Sequence, residues 1–135
     1  MKILATILLL IASVSTYAEI PDWYKRDIIG HIGKASGVVI FRVKKITNES
    51  AQGQYRSYRI DSETIETLKG SAPKGACYMI RTEGEWKSPY KVGEEAIVIL
   101  NIQYQGACGA IEPGYGAPAT KEYVELFKSI IKNGA

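Results

Sequence analysis

Histidine occurs once in the 135 residues, as His31, and cysteine twice, as Cys77 and Cys108. These shortages exclude most metal and nucleophilic chemistry. A structural zinc takes four ligands at characteristic spacings; here no Cys-x-x-Cys is present, and two thiols with one imidazole are a poor set. No Gly-x-Ser-x-Gly turn is available to expose an activated serine. The glycines between 106 and 116 lack the strand before and helix directly after that a phosphate-binding loop requires. The chain also lacks blocks of like charge, low-complexity tracts and any repeat period. Its formal net charge is +3, one unit of it from Lys2, too little to mark a polyanion-binding protein. Leu and Ala do not dominate, whereas 13 Gly and 9 Tyr give the bias of a β-rich chain with many turns. Nothing in the sequence calls for a cofactor or a metal.

Long apolar runs are missing too, and the longest one has a recognisable context. Lys2 is followed by residues 3–12, apolar except for Thr6, and then by a small, polar stretch ending Thr16-Tyr17-Ala18. This is the layout of a cleavable secretory signal over 1–18, with cleavage expected after Ala18. The run is too short to span a bilayer, and no later stretch reaches about 18 apolar residues. The expected product is a single secreted or periplasmic domain over 19–135 with no transmembrane segment. Export removes cytosolic cofactors, nucleotides and chromosomal DNA as partners. Two cysteines in an exported chain most simply pair with each other, the alternative being two buried free thiols. A Cys77–Cys108 bridge closes a loop of roughly thirty residues and contributes about 3–4 kcal/mol in the chain-entropy model.

The periodicity predicts a helix over 21–33, capped by Asp22, with Tyr24, Ile28 and Ile32 on its apolar side, Ile29 beside them and Gly33 as its stop. A strand over 36–47 follows. Val38 and Ile40 share one face and Val39, Phe41 and Val43 the other, so both faces are expected to be covered where 38–41 are all apolar. Residues 48–53 read as a hairpin loop. Residues 54–68 read as a long second strand whose uneven alternation calls for a bulge near 61–63. Residues 69–75 are a loop, 77–82 a third strand and 83–93 a polar connection holding Trp86. In a fourth strand over 95–102, Ile97 and Ile99 alternate against Ala96, Val98 and Leu100, and 103–111 adds an irregular fifth. Thr120 is placed to cap a helix over 121–132 whose stripe of Tyr123, Val124, Phe127, Ile130 and Ile131 is suited to docking on a sheet.

Within this order of helix, about five strands and helix, three segments and a pair of residues stand out. They are Ala35-Ser36-Gly37-Val38-Val39-Ile40-Phe41-Arg42-Val43, Ile65-Glu66-Thr67-Leu68-Lys69-Gly70, Tyr90-Lys91-Val92-Gly93-Glu94-Glu95-Ala96-Ile97-Val98-Ile99-Leu100 and, after them, Cys108-Gly109. Together they resemble the netrin-like modules that include the tissue inhibitors of metalloproteinases. The resemblance covers roughly residues 33–111. It implies a mainly β fold, a five-stranded Greek-key OB-type barrel with flanking N- and C-terminal helices, and a habit of binding other proteins. One departure is decisive for mechanism. In those inhibitors the N-terminal cysteine of the mature chain chelates the target's zinc. Here the mature chain would begin at Glu19, with no cysteine near it and no Cys-x-Cys, so that mechanism does not carry over.

The expected function is therefore a non-catalytic module that binds, and in one version inhibits, another exported protein. Candidate contact residues are Trp23, Tyr55, Tyr58 and Trp86, because Trp, Tyr and Arg are enriched at binding hot spots. For Trp23 the simpler expectation is anchoring of the N-terminal segment to the core; the alternative is an exposed ridge made by 19–23 with 83–90. Tyr55 and Tyr58 with Arg56 and Arg59 faintly resemble a nucleic-acid-binding strand, which export and low charge argue against. His31 is expected to be structural or exposed, since no nucleophile or orienting acid accompanies it in sequence. The alternatives are a small exported hydrolase using the loop carboxylates Glu83, Glu85, Glu94 and Glu95, or a structural envelope protein.

Overall fold

One long antiparallel hairpin organises the molecule. β1 (Gly37–Gln52) and β2 (Tyr55–Gly70) are sixteen residues each and meet at a tight turn where Gly53 has φ +60°. The expected loop over 48–53 is thus shorter than its polarity suggested, because 48–52 continue to pair with β2. Four register shifts leave Lys44 and Glu49 on β1, and Ile65 and Leu68 on β2, as extra residues. A shift does fall opposite 61–62, as anticipated, but the additional residue is Lys44 on the other strand. Each bulge bends its strand and raises the local twist, so the hairpin curls.

The computed structural model describes residues 19–73, 75–83, 89–101 and 108–135; the signal segment expected over 1–18 and Trp86 lie outside the described residues. The remaining elements are α1 (Asp22–Lys34) before the hairpin, then β3 (Cys77–Glu83), β4 (Glu95–Leu100), β5 (Gly109–Ala110), β6 (Ala117–Pro118) and α2 (Lys121–Lys132). The protein is mainly β, a six-stranded mixed sheet in the order β5-β3-β2-β1-β4-β6 with two flanking helices. All neighbours are antiparallel except β3 and β5. Residues 110–112 bond in two directions. The Ile111 N–H donates to Met79 O (2.9 Å), while the Asn101 N–H donates to Ala110 O (2.9 Å) and the Glu112 N–H to Ile99 O (2.8 Å).

Residues 37–41 of β1 and 96–100 of β4 are buried on both faces, as their near-continuous apolar runs require. Val39, Phe41, Val43, Ala96, Val98 and Leu100 join Tyr58, Ile60, Tyr78, Ile80 and Ile111 in an inner core. Val38, Ile40, Ile97 and Ile99 face the other way and are covered by Tyr24, Ile28 and Ile32 of α1 and by Phe127 and Ile130 of α2. The Thr120 hydroxyl accepts the Tyr123 N–H, so α2 begins with the expected cap. α1 does not: its N-cap is Pro21, and Asp22 is the first helical residue, where its carboxylate meets the positive end of the helix dipole. No helix among the described residues is long and apolar enough to cross a membrane.

The Leu68-Lys69-Gly70 segment joins α1 to the hairpin. Leu68 packs into the outer core, and the Lys69 ammonium donates to Ile32 O (2.7 Å) and Gly33 O (3.2 Å), two carbonyls at the end of α1. The α1 surface facing away from the sheet carries Gly30, where an added Cβ would meet nothing within 4 Å. Gly30→Ala is expected to stabilise the protein by about 0.5–1 kcal/mol through the lower entropy of the unfolded chain and better helix propensity. Urea denaturation checks this, and a lower midpoint would refute it.

Cys77 and Cys108 are disulfide-bonded and buried, so the expected pairing holds. The bond lies beside the two-residue β3–β5 ladder, Tyr78↔Gly109 and Met79↔Ala110.

Candidate binding cleft

The polypeptide parts from β3 at Pro113-Gly114. Proline offers no N–H to a ladder, and Gly114 has φ +92°. The chain therefore crosses to β4, where Ala117 and Pro118 pair with Ile97 and Ala96. Between the second half of β3 and residues 113–118 opens a cleft of about 1350 Å³. Ile80, Ala96 and Ile111 of the inner core supply its apolar lining, and Glu49, Tyr55 and Ser57 reach it from the tip of the hairpin.

Tyr90 also lines the cleft. Its ring meets Phe41 edge-to-face (centroids 5.5 Å apart), and a Cβ on Gly116 would sit 3.0 Å from its hydroxyl. Burial, and then the nearby Glu94 carboxylate, push the Tyr90 hydroxyl up to about 12. Burial raises Tyr24 and Tyr78 as well. A phenol whose folded pKa exceeds its unfolded value of about 10 contributes stability that is complete below pH 10 and is lost as the pH climbs toward 12. The fold is expected to hold up to about pH 10 and then unfold, with the tyrosinate absorbance of the buried Tyr24, Tyr78 and Tyr90 appearing together with loss of the circular dichroism signal. Ionisation of every tyrosine by about pH 11 with the signal intact would contradict the burial argument.

Two features of the lining are unusual. Thr82 is 8 % exposed, and its hydroxyl oxygen is buried with no hydrogen-bond partner among the described residues. Leaving such a group unpaired costs about 1–3 kcal/mol. The cleft is also acidic although the chain is basic: Glu49, Glu83 and Glu94 line it, against the single cation Arg81 among the described lining residues. The Arg81 guanidinium sits 4.1 Å over the Tyr55 ring, a cation–π contact that fixes both. Glu83 accepts from Gln54 Nε2 (2.9 Å). Glu94 accepts the Lys91 N–H (2.9 Å) and closes the turn in which Gly93 has φ +90°. Glu95 lies outside the lining and pairs with Arg42 (3.5 Å).

Of the candidate contact residues Tyr55 lines the cleft, and of the loop carboxylates Glu83 and Glu94 do. Tyr58 is 5 % exposed and belongs to the inner core, so it is not a surface contact. Trp23 does not anchor the N-terminal segment: it is 55 % exposed on α1, and its neighbour Tyr24 is buried instead. Trp86 lies outside the described residues, as does Glu85.

The surroundings of His31 were not foreseeable from the sequence. Its Nδ1 lies 2.6 Å from Glu112 Oε1, and its ring stacks on Tyr115 (centroids 3.6 Å apart), whose carbonyl accepts from the Tyr24 hydroxyl (2.9 Å). These contacts tie α1 to residues 112–115 and so brace one wall of the cleft. Among the described residues no group of three or more His, Cys, Asp or Glu side chains is placed to hold a metal. No protein-family model matches the chain, and no curated protein matches it.

Proposed function

We propose that the protein is an exported, non-catalytic binding module for another exported protein, built on a netrin-like OB-type barrel. The observation that carries this reading is the acidic cleft, with its open wall at β3 and a Thr82 hydroxyl that has no partner among the described residues. The barrel reading draws on the two-sided bonding of 110–112, which contacts β3 on one side and the end of β4 on the other. The Leu68-Lys69-Gly70 and Val92-Gly93-Glu94 segments that carry the netrin-like resemblance both contain glycine turns. Gly70 and Gly93 both have positive φ, and each sits where the hairpin meets another element.

Site-specific photo-crosslinking tests the function. A photoreactive phenylalanine in place of Tyr55, expressed in the native compartment, is expected to give one stoichiometric protein adduct. The same residue in place of Lys128, which sits on α2 beside Glu66, is expected to give none. Identical adduct patterns from both positions, or none from Tyr55, would overturn the reading. A hydrolase reading has one observation in its favour, since Glu83 and Glu94 line the same cleft. Turnover of a glycoside panel that disappears in Glu83→Gln and Glu94→Gln would put it ahead of the binding module.

A further inference from the structure

We infer that the cleft takes an extended peptide segment, which adds as a strand to the free edge of β3 at Arg81–Glu83 and offers a lysine or arginine to Glu49, Glu83 and Glu94. This rests on the binding-module reading and specifies its mode and the chemistry of the partner.

The direction of the backbone groups follows from one hydrogen bond. The Ile111 N–H donates to Met79 O, so the main-chain polar groups of Met79 point away from β2. These groups alternate along a strand, so those of Arg81 and Glu83 point the same way, while Ile80 and Thr82 bond across to Tyr58 and Arg56 of β2. β5 covers this edge only at Tyr78 and Met79, and the Pro113-Gly114 turn then carries the chain away. Among the described residues no strand pairs with the outward edge of Arg81 and Glu83. An unpaired edge is a template for another strand, and this one faces the cleft.

Three further observations select the occupant. The volume of about 1350 Å³ exceeds the roughly 300–1,000 Å³ usual for small-ligand pockets and suits a chain segment. The buried Thr82 hydroxyl needs a polar partner that the described residues do not supply. The carboxylates of Glu49, Glu83 and Glu94 outnumber the one guanidinium, which Tyr55 already engages. A strand with alternating apolar and cationic side chains meets the demands of size and charge, and its main-chain groups are the polar partners it offers the Thr82 hydroxyl. Its apolar side faces Ile80, Ala96 and Ile111, and its cations reach the acidic rim.

The test uses the mature chain and a fluorescein-labelled heptapeptide, Thr-Val-Lys-Val-Lys-Val-Thr. Saturable binding is expected, weakened about tenfold or more when the central backbone nitrogens are N-methylated and when both lysines become glutamate, as loss of one or two hydrogen bonds or of charge pairing implies. At saturation the Arg81 and Glu83 amide protons are expected to exchange more slowly, with little change at Val39 in the core. Arg81→Pro removes an outward N–H without breaking the β2 ladder and is expected to weaken binding by a similar factor. The N-methylated peptide and the exchange measurement discriminate even if that variant does not fold. Undiminished binding of the N-methylated peptide, unchanged exchange at Arg81 and Glu83, or no binding up to about 1 mM peptide would overturn strand addition. So would sedimentation showing that the edge pairs with a second copy of the chain. A Tyr55 adduct that forms in the native compartment and survives Arg81→Pro would leave the binding module standing and remove only its strand-addition mode.

Discussion

Replacing Cys77 and Cys108 together by alanine is expected to cost about 3–4 kcal/mol of folding free energy and to lower the urea midpoint by about 1–3 M. The bridge joins residues 31 apart, and the secondary structure around it is too slight to replace it. β5 has two residues, and its parallel ladder to β3 is two pairs long. So short a pairing does not offset the entropy of closing the long connection that precedes it. The Ile111 N–H bond to Met79 O is the next link along the same contact and is expected to open before the rest of the sheet. Its amide should exchange much faster in the double variant than in the native protein, with Val39 and Val98 changing only as global stability does. Peptide binding should fall as well, because Ile111 is part of the cleft lining. A double variant with an unchanged midpoint would mean that the β3–β5 contact holds without its crosslink.

Much of the framework was legible because burial imposes a period. In β1 and β4 the two alternating apolar sets separate cleanly into inner and outer cores. In α1 the i, i+4, i+8 series Tyr24, Ile28, Ile32 is the buried stripe. The same periodicity placed Trp23 off that stripe; expecting it to be an anchor gave side-chain size more weight than position, and position decided. β6 left no trace, since Ala117-Pro118 carries neither alternation nor β-branched residues. The extension of β1 through 48–52 was hidden for a related reason: polar residues pair there because β2 lies beside them, a property of the partner strand and not of the segment.

The cleft was mostly illegible. It exists because the backbone turns away from β3 at Pro113-Gly114, and its carboxylates arrive from three separate places, Glu49 on β1, Glu83 at the end of β3 and Glu94 just before β4. Their distance in sequence says nothing of their approach in space. His31 and Glu112 are 81 residues apart, and nothing in the spacing around either foreshadows the pair. Cysteine number, by contrast, carried the disulfide without any geometry, because two thiols have one intramolecular pairing available.

Gly70→Ala is expected to destabilise the protein by about 3 kcal/mol or more, whereas Gly53→Ala should cost about 1–2 kcal/mol. The two glycines have nearly the same backbone, φ +64° and +60°, so the penalty for placing an L side chain in the left-handed region is common to both. Their surroundings differ. An added Cβ at Gly53 meets nothing within 4 Å, while at Gly70 it falls 2.1 Å from Ser36 O and 3.0 Å from Ser36 C. Both are main-chain atoms, so no rotamer change relieves the clash. Nor can Ser36 easily withdraw. Its N–H donates to Leu100 O (2.9 Å) and its hydroxyl to Asn101 O (2.8 Å), which pins the end of α1 to the end of β4. On the other side Lys69 holds the last carbonyls of α1, and Gly37, the β1 partner of Gly70, has its own Cβ position 2.8 Å from Ser71 O. Relief of the clash therefore means separating α1 from the hairpin or β1 from β2, and either exposes outer-core side chains such as Ile32 and Val38. Parallel urea titrations of the two variants decide the matter. Equal losses would show that φ alone sets the cost at both turns, and that the approach of Ser36 to Gly70 is not what fixes a glycine after Lys69.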